Sequence, residues 1–314
     1  MKSPRGQIRH MLWATSHLKS VLITVTIIVC AALAVGARFY ALTPVVLNDN
    51  SMYPKVPKGK RVWICTLPQC RQNIRTDDIV LAKRPGSGEV FLRRVIGLPG
   101  TSMQISSTGE VTSPNLNFHW DGENAFIDTR SFRIPKAGDT LAIGSLNDVE
   151  FDYAARLVTQ KFGRKNVRTQ VTLLQGSQPM PIGRIGTTRL ASRPVSVREV
   201  SGLPWQELYL IQLQIQREEP GSRHIHFMRK IYKVKDSSEV AAFRVKEDNY
   251  YLACFKGNQC QDSRELGYFP QKSIVGKMLP VPDFTGYAER WCKKVLRSFK
   301  KTEKKQPAKA EQRR

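Results

Sequence analysis

The chain is poor in acidic residues and in histidine, has no CxxC pair, and carries one long apolar run. Each absence narrows the possibilities. Six cysteines without a CxxC pair, and with no histidine near them in sequence, argue against a zinc site. No internal repeat is present, which removes solenoids and propellers, and no long amphipathic helical pattern is evident before the C-terminal tail, which removes a helical bundle. Acidic residues number 26 against 50 Lys and Arg, a net charge of +24, so the partner classes to weigh are nucleic acid and anionic membrane.

The one apolar run is "VLITVTIIVCAALAVGA", residues 21–37, seventeen residues without a charge. After Arg38 the apolar character continues through Phe39, Tyr40 and Leu42, close to the roughly 20 residues that cross a bilayer core. Lys2, Arg5, Arg9 and Lys19 precede the run with no acid among them. By the positive-inside rule this predicts a transmembrane helix over 20–42, a basic cytosolic N-terminus over 1–19, and export of everything after it. A cleaved signal peptide competes, because "LAVGA" offers small residues, but the run is longer than a usual signal-peptide core.

The distribution of charge favours membrane over nucleic acid. From Lys293 to Arg314 there are ten Lys or Arg against Glu303 and Glu311, and Tyr287, Trp291, Val295 and Phe299 recur every four residues just before and within this stretch. A basic tail over 286–314 lying on anionic lipid is one reading, and a solvated disordered tail is the other. No nucleic-acid partner and no cofactor are expected.

Between these ends, "RVWICTL", "DIVLAKRPGSG" and "EVFLRRVIGLPG" are short runs of β-branched and aromatic residues separated by Pro and Gly, which predicts strands and turns. "DVEFDYAARLVTQKFG" is the best helical candidate of the body, while "TQVTLLQ", "ELYLIQLQIQ" and "RHIHFMRKIYKV" read as further strands. A composition change sets off residues 111–239 as an inserted subdomain within a core of 43–110 and 240–285. In an exported body Cys65, Cys70, Cys254 and Cys260 form up to two disulfides, and all three connectivities remain open.

"NDNSMYP" (residues 48–54), "DDIVLAKRP" (77–85), "RRVIGLPG" (93–100) and "DSRELGYFP" (262–270), closed by "IVGK", occur in that order after the span. Together they resemble the bacterial type I signal peptidases, membrane-bound serine proteases that remove signal peptides. The resemblance implies a mainly β fold: a coiled antiparallel-sheet core with an inserted β-rich subdomain and one N-terminal transmembrane helix. It places the protein in the bacterial inner membrane as a single-pass protein with an extracytoplasmic body, acting on exported preproteins.

Position by position, Ser51 matches the family's nucleophile and Met52 the neighbouring methionine that sits toward the membrane. The family's base is a lysine, kept neutral by desolvation. Here that position holds Arg93. An arginine titrates far above the physiological range, and neutralising it near pH 7 costs roughly 8 kcal/mol, so Arg93 is expected to stay charged. The oxyanion-hole position two residues before Ser51 holds Asp49, a carboxylate that repels a developing oxyanion. The serine that orients the lysine is replaced by Cys260, and of its motif only Asp262, Ser263 and Arg264, the structural part, persist. A charge-assisted pair between Asp49 and Arg93 would replace the lost dyad. Lys83, His224 and His226 are the alternative bases, each with a bland reading as an ordinary surface residue, and Cys260 is a remote alternative nucleophile.

The expectation is therefore a signal-peptidase-like serine endopeptidase homologue with an impaired catalytic site. Its rivals are an active, specialised peptidase using Ser51 with a non-standard base, and a non-enzymatic basic adaptor at the membrane surface.

Overall fold

The computed structural model describes residues 21–33, 35–36, 41–114, 116–119, 126–180, 189–190, 193–194, 197–218, 224–255 and 260–279. The chain divides into two compact units, Met1–Met278 and Leu279–Arg314. The tail's expected aromatic stripe and basic run lie outside the described residues.

Residues 21–33 and 35–36 are helical, and their large side chains are exposed. Among the described residues no helix is long and apolar enough to cross a membrane. The expected span of 20–42 also takes in residue 20, residue 34 and residues 37–40, which lie outside them.

The body is mainly antiparallel β. Strands β1 (Leu42–Val46), β2 (Arg61–Cys65), β3 (Ile79–Lys83) and β4 (Val90–Gly97) form a seven-stranded sheet with β16 (Asn249–Ala253), β17 (Phe269–Pro270) and β18 (Ile274–Met278), in the order β1-β2-β18-β3-β4-β16-β17. The first four strands and the last three are thus interleaved although more than 150 positions separate β4 from β16. The sheet's central strands are buried on both faces: β16 (NYYLA) is buried at every position and β3 at its first four. That double burial is why their sequences run continuously apolar rather than alternating. Two glycines let the layers approach. A Cβ at Gly97 would collide with Ile134, and one at Gly276 with the carbonyl of Cys65.

The segment between β4 and β16 builds the remaining sheets. Strands β5 (Ser102–Ile105), β6 (Glu110–Ser113), β7 (Leu116–His119) and β8 (Arg130–Arg133) make a four-stranded sheet. Strand β9 (Thr140–Ala142) pairs with β15 (Ala242–Arg244), and β10 (Val167–Gln175) lies between β11 (Gln178–Met180) and β14 (Ile225–Lys233). A two-residue hairpin, β12 (Arg189–Leu190) and β13 (Arg193–Pro194), completes the set.

The expected helix forms as Asp148–Phe162. Asn147 and Glu150 cap it reciprocally, and it buries Val149, Phe151, Tyr153, Ala154, Leu157 and Val158. "ELYLIQLQIQ" corrects its expectation, because it belongs to a 14-residue amphipathic helix, Trp205–Glu218, rather than a strand. The buried positions are Trp205, Leu208 and Ile211, with Ile215 half-buried, which is helical spacing. Leu210 and Leu213 are exposed and produced the misleading alternation.

The two helices are joined through charge. Asp152 accepts a 2.8 Å hydrogen bond from the Trp205 amide and pairs with Arg229 of β14, both side chains buried. Removing one member strands the other's charge in the core. Asp152→Ala is therefore expected to lower unfolding free energy by roughly 3–5 kcal/mol in urea titration, with a smaller loss when Asp152 and Arg229 are both replaced by apolar residues.

Tyr153, Tyr251 and Tyr268 cluster around Phe132, and the Tyr153 and Tyr251 hydroxyls bond at 2.9 Å. Burial, above all, pushes all three phenols above their ordinary value. For an acid whose folded-state value is raised, the contribution to stability is complete below the unfolded value, about pH 10, and is lost as pH rises through the folded value. Stability in urea is expected to fall above about pH 10, and Tyr251→Phe to flatten that fall.

Candidate functional site

Ser51 lies in the turn-rich connection between β1 and β2. Backbone bonds close this loop on itself, with the Val56 amide donating to Met52 at 2.8 Å and the Tyr53 amide to Asn50 at 3.1 Å. The Tyr53–Pro54 peptide is cis. Met52 is fully buried in a cluster with Leu47, Val56, Ile64, Leu81 and Leu92. The Ser51 carbonyl accepts a 2.9 Å bond from the Phe255 amide, which ties the loop to the chain leaving β16.

Arg93 arrives beside Ser51 because β4 is central in the sheet, opposite Val80 of β3. It is only 4 % exposed. A buried guanidinium must find acceptors, and this one does. Its Nε and Nη2 donate to the Gln261 carbonyl at 2.9 and 2.7 Å, and Nη1 donates to the Leu92 carbonyl at 2.6 Å. Nη1 also reaches Ser51 Oγ at 3.4 Å, and the guanidinium lies 4.4 Å from the centre of the Phe91 ring. Burial pulls its pKa down, and the carboxylates of Asp262, Asp49 and Glu89 oppose that pull. A group that only donates, held on oxygen acceptors among carboxylates, stays a cation.

Asp49 holds Ser51 from the other side. Its Oδ1 accepts the Ser51 hydroxyl at 2.5 Å and the Ser51 amide at 2.9 Å. The expected direct pair of Asp49 with Arg93 is thus replaced by a relay in which the serine hydroxyl donates to the carboxylate and accepts from the guanidinium. The same Asp-x-Ser arrangement recurs in a surface turn, where Asp236 Oδ1 takes the Ser238 amide at 3.1 Å and hydroxyl at 2.8 Å. It is a local turn-forming contact that short polar side chains favour. At Ser51 the contact engages both the proton a base would remove and the amide that would hold an oxyanion.

The remaining expected residues sort clearly. Cys254 bonds to Cys260 and Cys65 to Cys70, so the local connectivity is the one formed, and Cys260 has no thiol to orient a base or attack. Asp262 is buried, pairs with Arg264 at 2.9 and 3.0 Å, and caps the short helix Ser263–Leu266. Ser263 Oγ accepts the Leu252 amide at 2.8 Å. Lys83 is exposed at the end of β3, and His224 and His226 are exposed at and beside the start of β14, in a different sheet. Among the described residues none of these three hydrogen-bonds to Ser51, whose hydroxyl meets Asp49 and Arg93 instead.

Several contributors carried no sequence signal. Gln261 acts through its main-chain carbonyl, which any residue would supply. Arg94, adjacent to Arg93, projects to the opposite side of the strand and stacks between Phe118 and Phe255 at 4.8 and 4.9 Å. It also pairs with Asp77, which Lys55 of the serine loop meets at 2.9 Å. The serine loop, β4 and the four-stranded sheet are thereby linked around one carboxylate. A cleft of about 350 Å³ is lined by Asp49, Leu81, Arg84, Glu89, Arg93 and Gln261 among others, while Ser51 itself is buried and does not line it.

Comparison with known proteins agrees with this arrangement. Residues 18–115 match the family model described as signal peptidase, peptidase S26, a stretch that contains both Ser51 and Arg93. Signal peptidase I U of Bacillus subtilis (strain 168) is 27 % identical over 86 residues, covering 27 % of this chain and 46 % of the relative. Signal peptidase I of Bacillus amyloliquefaciens is 28 % identical over 81 residues, 26 % of this chain and 42 % of the relative. Signal peptidase I P of Bacillus subtilis subsp. natto is 23 % identical over 121 residues, covering 35 % and 65 %. The chain thus spans from under half to about two thirds of the length of these relatives. With the motif order, the match over residues 18–115 supports a divergent member of the type I signal peptidase family, at low identity.

Proposed function

We propose that this protein is a membrane-surface signal-peptidase homologue that engages exported preproteins in the cleft lined by Asp49 and Arg93 without cleaving them by the family's lysine route. The observation that carries the reading is the double hold of Asp49 on Ser51, amide and hydroxyl, with a buried guanidinium in the base position. A serine hydroxyl is a weak nucleophile until a base takes its proton, and a cationic arginine cannot be that base. The cleft survives as a place for an extended peptide, supported by apolar Val46, Leu81, Val90 and Phe91 along its walls. On this reading the apolar N-terminal segment anchors the chain in the bacterial inner membrane with its N-terminus in the cytosol. The body then meets signal peptides as they emerge.

A second reading takes the 2.5 Å bond from Ser51 to Asp49 as that of a working nucleophile and base. The matching contact at Asp236 and Ser238, on an exposed turn, weighs against it.

The test is a cleavage assay of the full chain on a preprotein with an Ala-x-Ala site, alongside a pull-down of the same preprotein. Wild type is expected to bind and not to cut, as is Ser51→Ala. Ser51-dependent turnover by the wild type would overturn the proposal. Restoring the dyad with Arg93→Lys, Asp49→Ser, Cys260→Ser and Cys254→Ala is expected to raise turnover by roughly 10²–10⁴, the range a positioned base supplies. That turnover should rise with pH as the desolvated lysine loses its proton.

A further inference from the structure

We infer a second binding site, remote in the fold from Ser51, for a phosphate-type oxyanion. It is a concavity of about 280 Å³ between the end of the helix Asp148–Phe162, the end of β14 and strand β15, and Lys161, Lys233 and Arg244 line it. These cations come from three separate stretches of chain, so the fold, rather than a local charge run, brings them together. Phe162 and Phe243 contribute aromatic faces. Lys161 Nζ lies 5.0 Å from the Phe162 ring centre and 5.1 Å from that of Phe243, and Lys233 Nζ lies 5.6 Å from the same Phe162 ring.

Two ammonium groups gathered on one ring repel each other, and the rings' negative faces offset only part of that repulsion. The acids nearby are otherwise engaged. Glu239, the cavity's carboxylate, pairs with Lys230 at 2.9 Å. Asp236 is bound by the hydroxyl and amide of Ser238 in its own turn, although it also feels the Lys233 charge. Arg164, Lys165 and Arg168 add three further cations to the surrounding surface, with no acid among residues 161–168. An external anion would complete this charge arrangement.

A phosphate suits it better than a single carboxylate. Its several oxygens can meet two lysine point charges and an arginine fork at once, with the rings keeping water from one side. A lipid headgroup and a soluble phosphate ester share this chemistry. Lys161 also occupies the last turn of its helix, where a cation offsets the helix's negative end. That role alone gives no response to phosphate.

The test compares the full wild-type chain with Lys161→Gln/Lys233→Gln/Arg244→Gln, all at exposed or half-buried surface positions. Inorganic phosphate, against chloride of equal ionic strength, is expected to raise the wild type's Tm and to do so at least tenfold less potently in the triple variant. Glu239→Gln, which removes the cavity's only carboxylate, is expected to tighten phosphate binding severalfold. Vesicles of phosphatidylglycerol in phosphatidylcholine identify the source. Weaker binding by the triple variant than by wild type assigns the site to a headgroup, and equal vesicle binding with the phosphate response intact in wild type assigns it to a soluble ester. The same phosphate response in wild type and triple variant, none in the wild type, or weaker binding by Glu239→Gln would overturn the site.

Discussion

A guanidinium buried in the centre of a β-sheet sets terms for everything around it. Arg93 cannot shed its proton at any ordinary pH, so each N–H needs an acceptor and the charge needs compensation. The structure meets both demands with the Gln261 and Leu92 carbonyls, the Ser51 hydroxyl, and the fields of Asp262, Asp49 and Glu89. With β4 between β3 and β16, Arg93 reaches both the serine loop and the chain that returns through Cys254 to Gln261.

On the proposed reading, the departures from the family's motifs form one set. Replacing a neutralisable lysine with arginine adds a permanent positive charge. Asp49 supplies a carboxylate within its field, and the Cys254–Cys260 disulfide closes the loop immediately before Gln261, whose carbonyl takes two of the guanidinium's donors. Asp262 and Arg264 keep their structural pairing beneath it, and Ser263 its bond to β16. On the proposed reading, the place of the family's reactive dyad is taken by a hydrogen-bond network that joins Asp49, Ser51, Arg93 and the Gln261 carbonyl.

How much of this was legible beforehand depended on what each feature rests on. Strands such as β3 and β4 were readable because their burial is written in consecutive apolar and β-branched residues. The helix Trp205–Glu218 was not, because exposed Leu210 and Leu213 mimic strand alternation and only tertiary burial of Trp205, Leu208 and Ile211 reveals the true period. Ser51, Arg93 and Cys260 were singled out by the resemblance to the family's motifs, and the structure brings Arg93 to the Ser51 hydroxyl. The relay through the Ser51 hydroxyl was not legible, since it depends on a turn conformation that lets Asp49 fold back onto residue 51. Gln261 and the Phe255 amide act through backbone atoms, which leave no trace in residue identity. Met52 shows the reverse case, a motif residue legible by position whose packing in the core only the structure reveals.

The central claim is that Ser51 is held unreactive by Asp49 and Arg93, and its chemical reactivity tests this most directly. The full chain would be treated with a serine-directed fluorophosphonate, and the modified site located by mass spectrometry. The account predicts an unlabelled Ser51 in wild type and labelling when Asp49 and Arg93 are replaced together by serine and lysine. Rapid, stoichiometric labelling of Ser51 in the wild-type chain would contradict it.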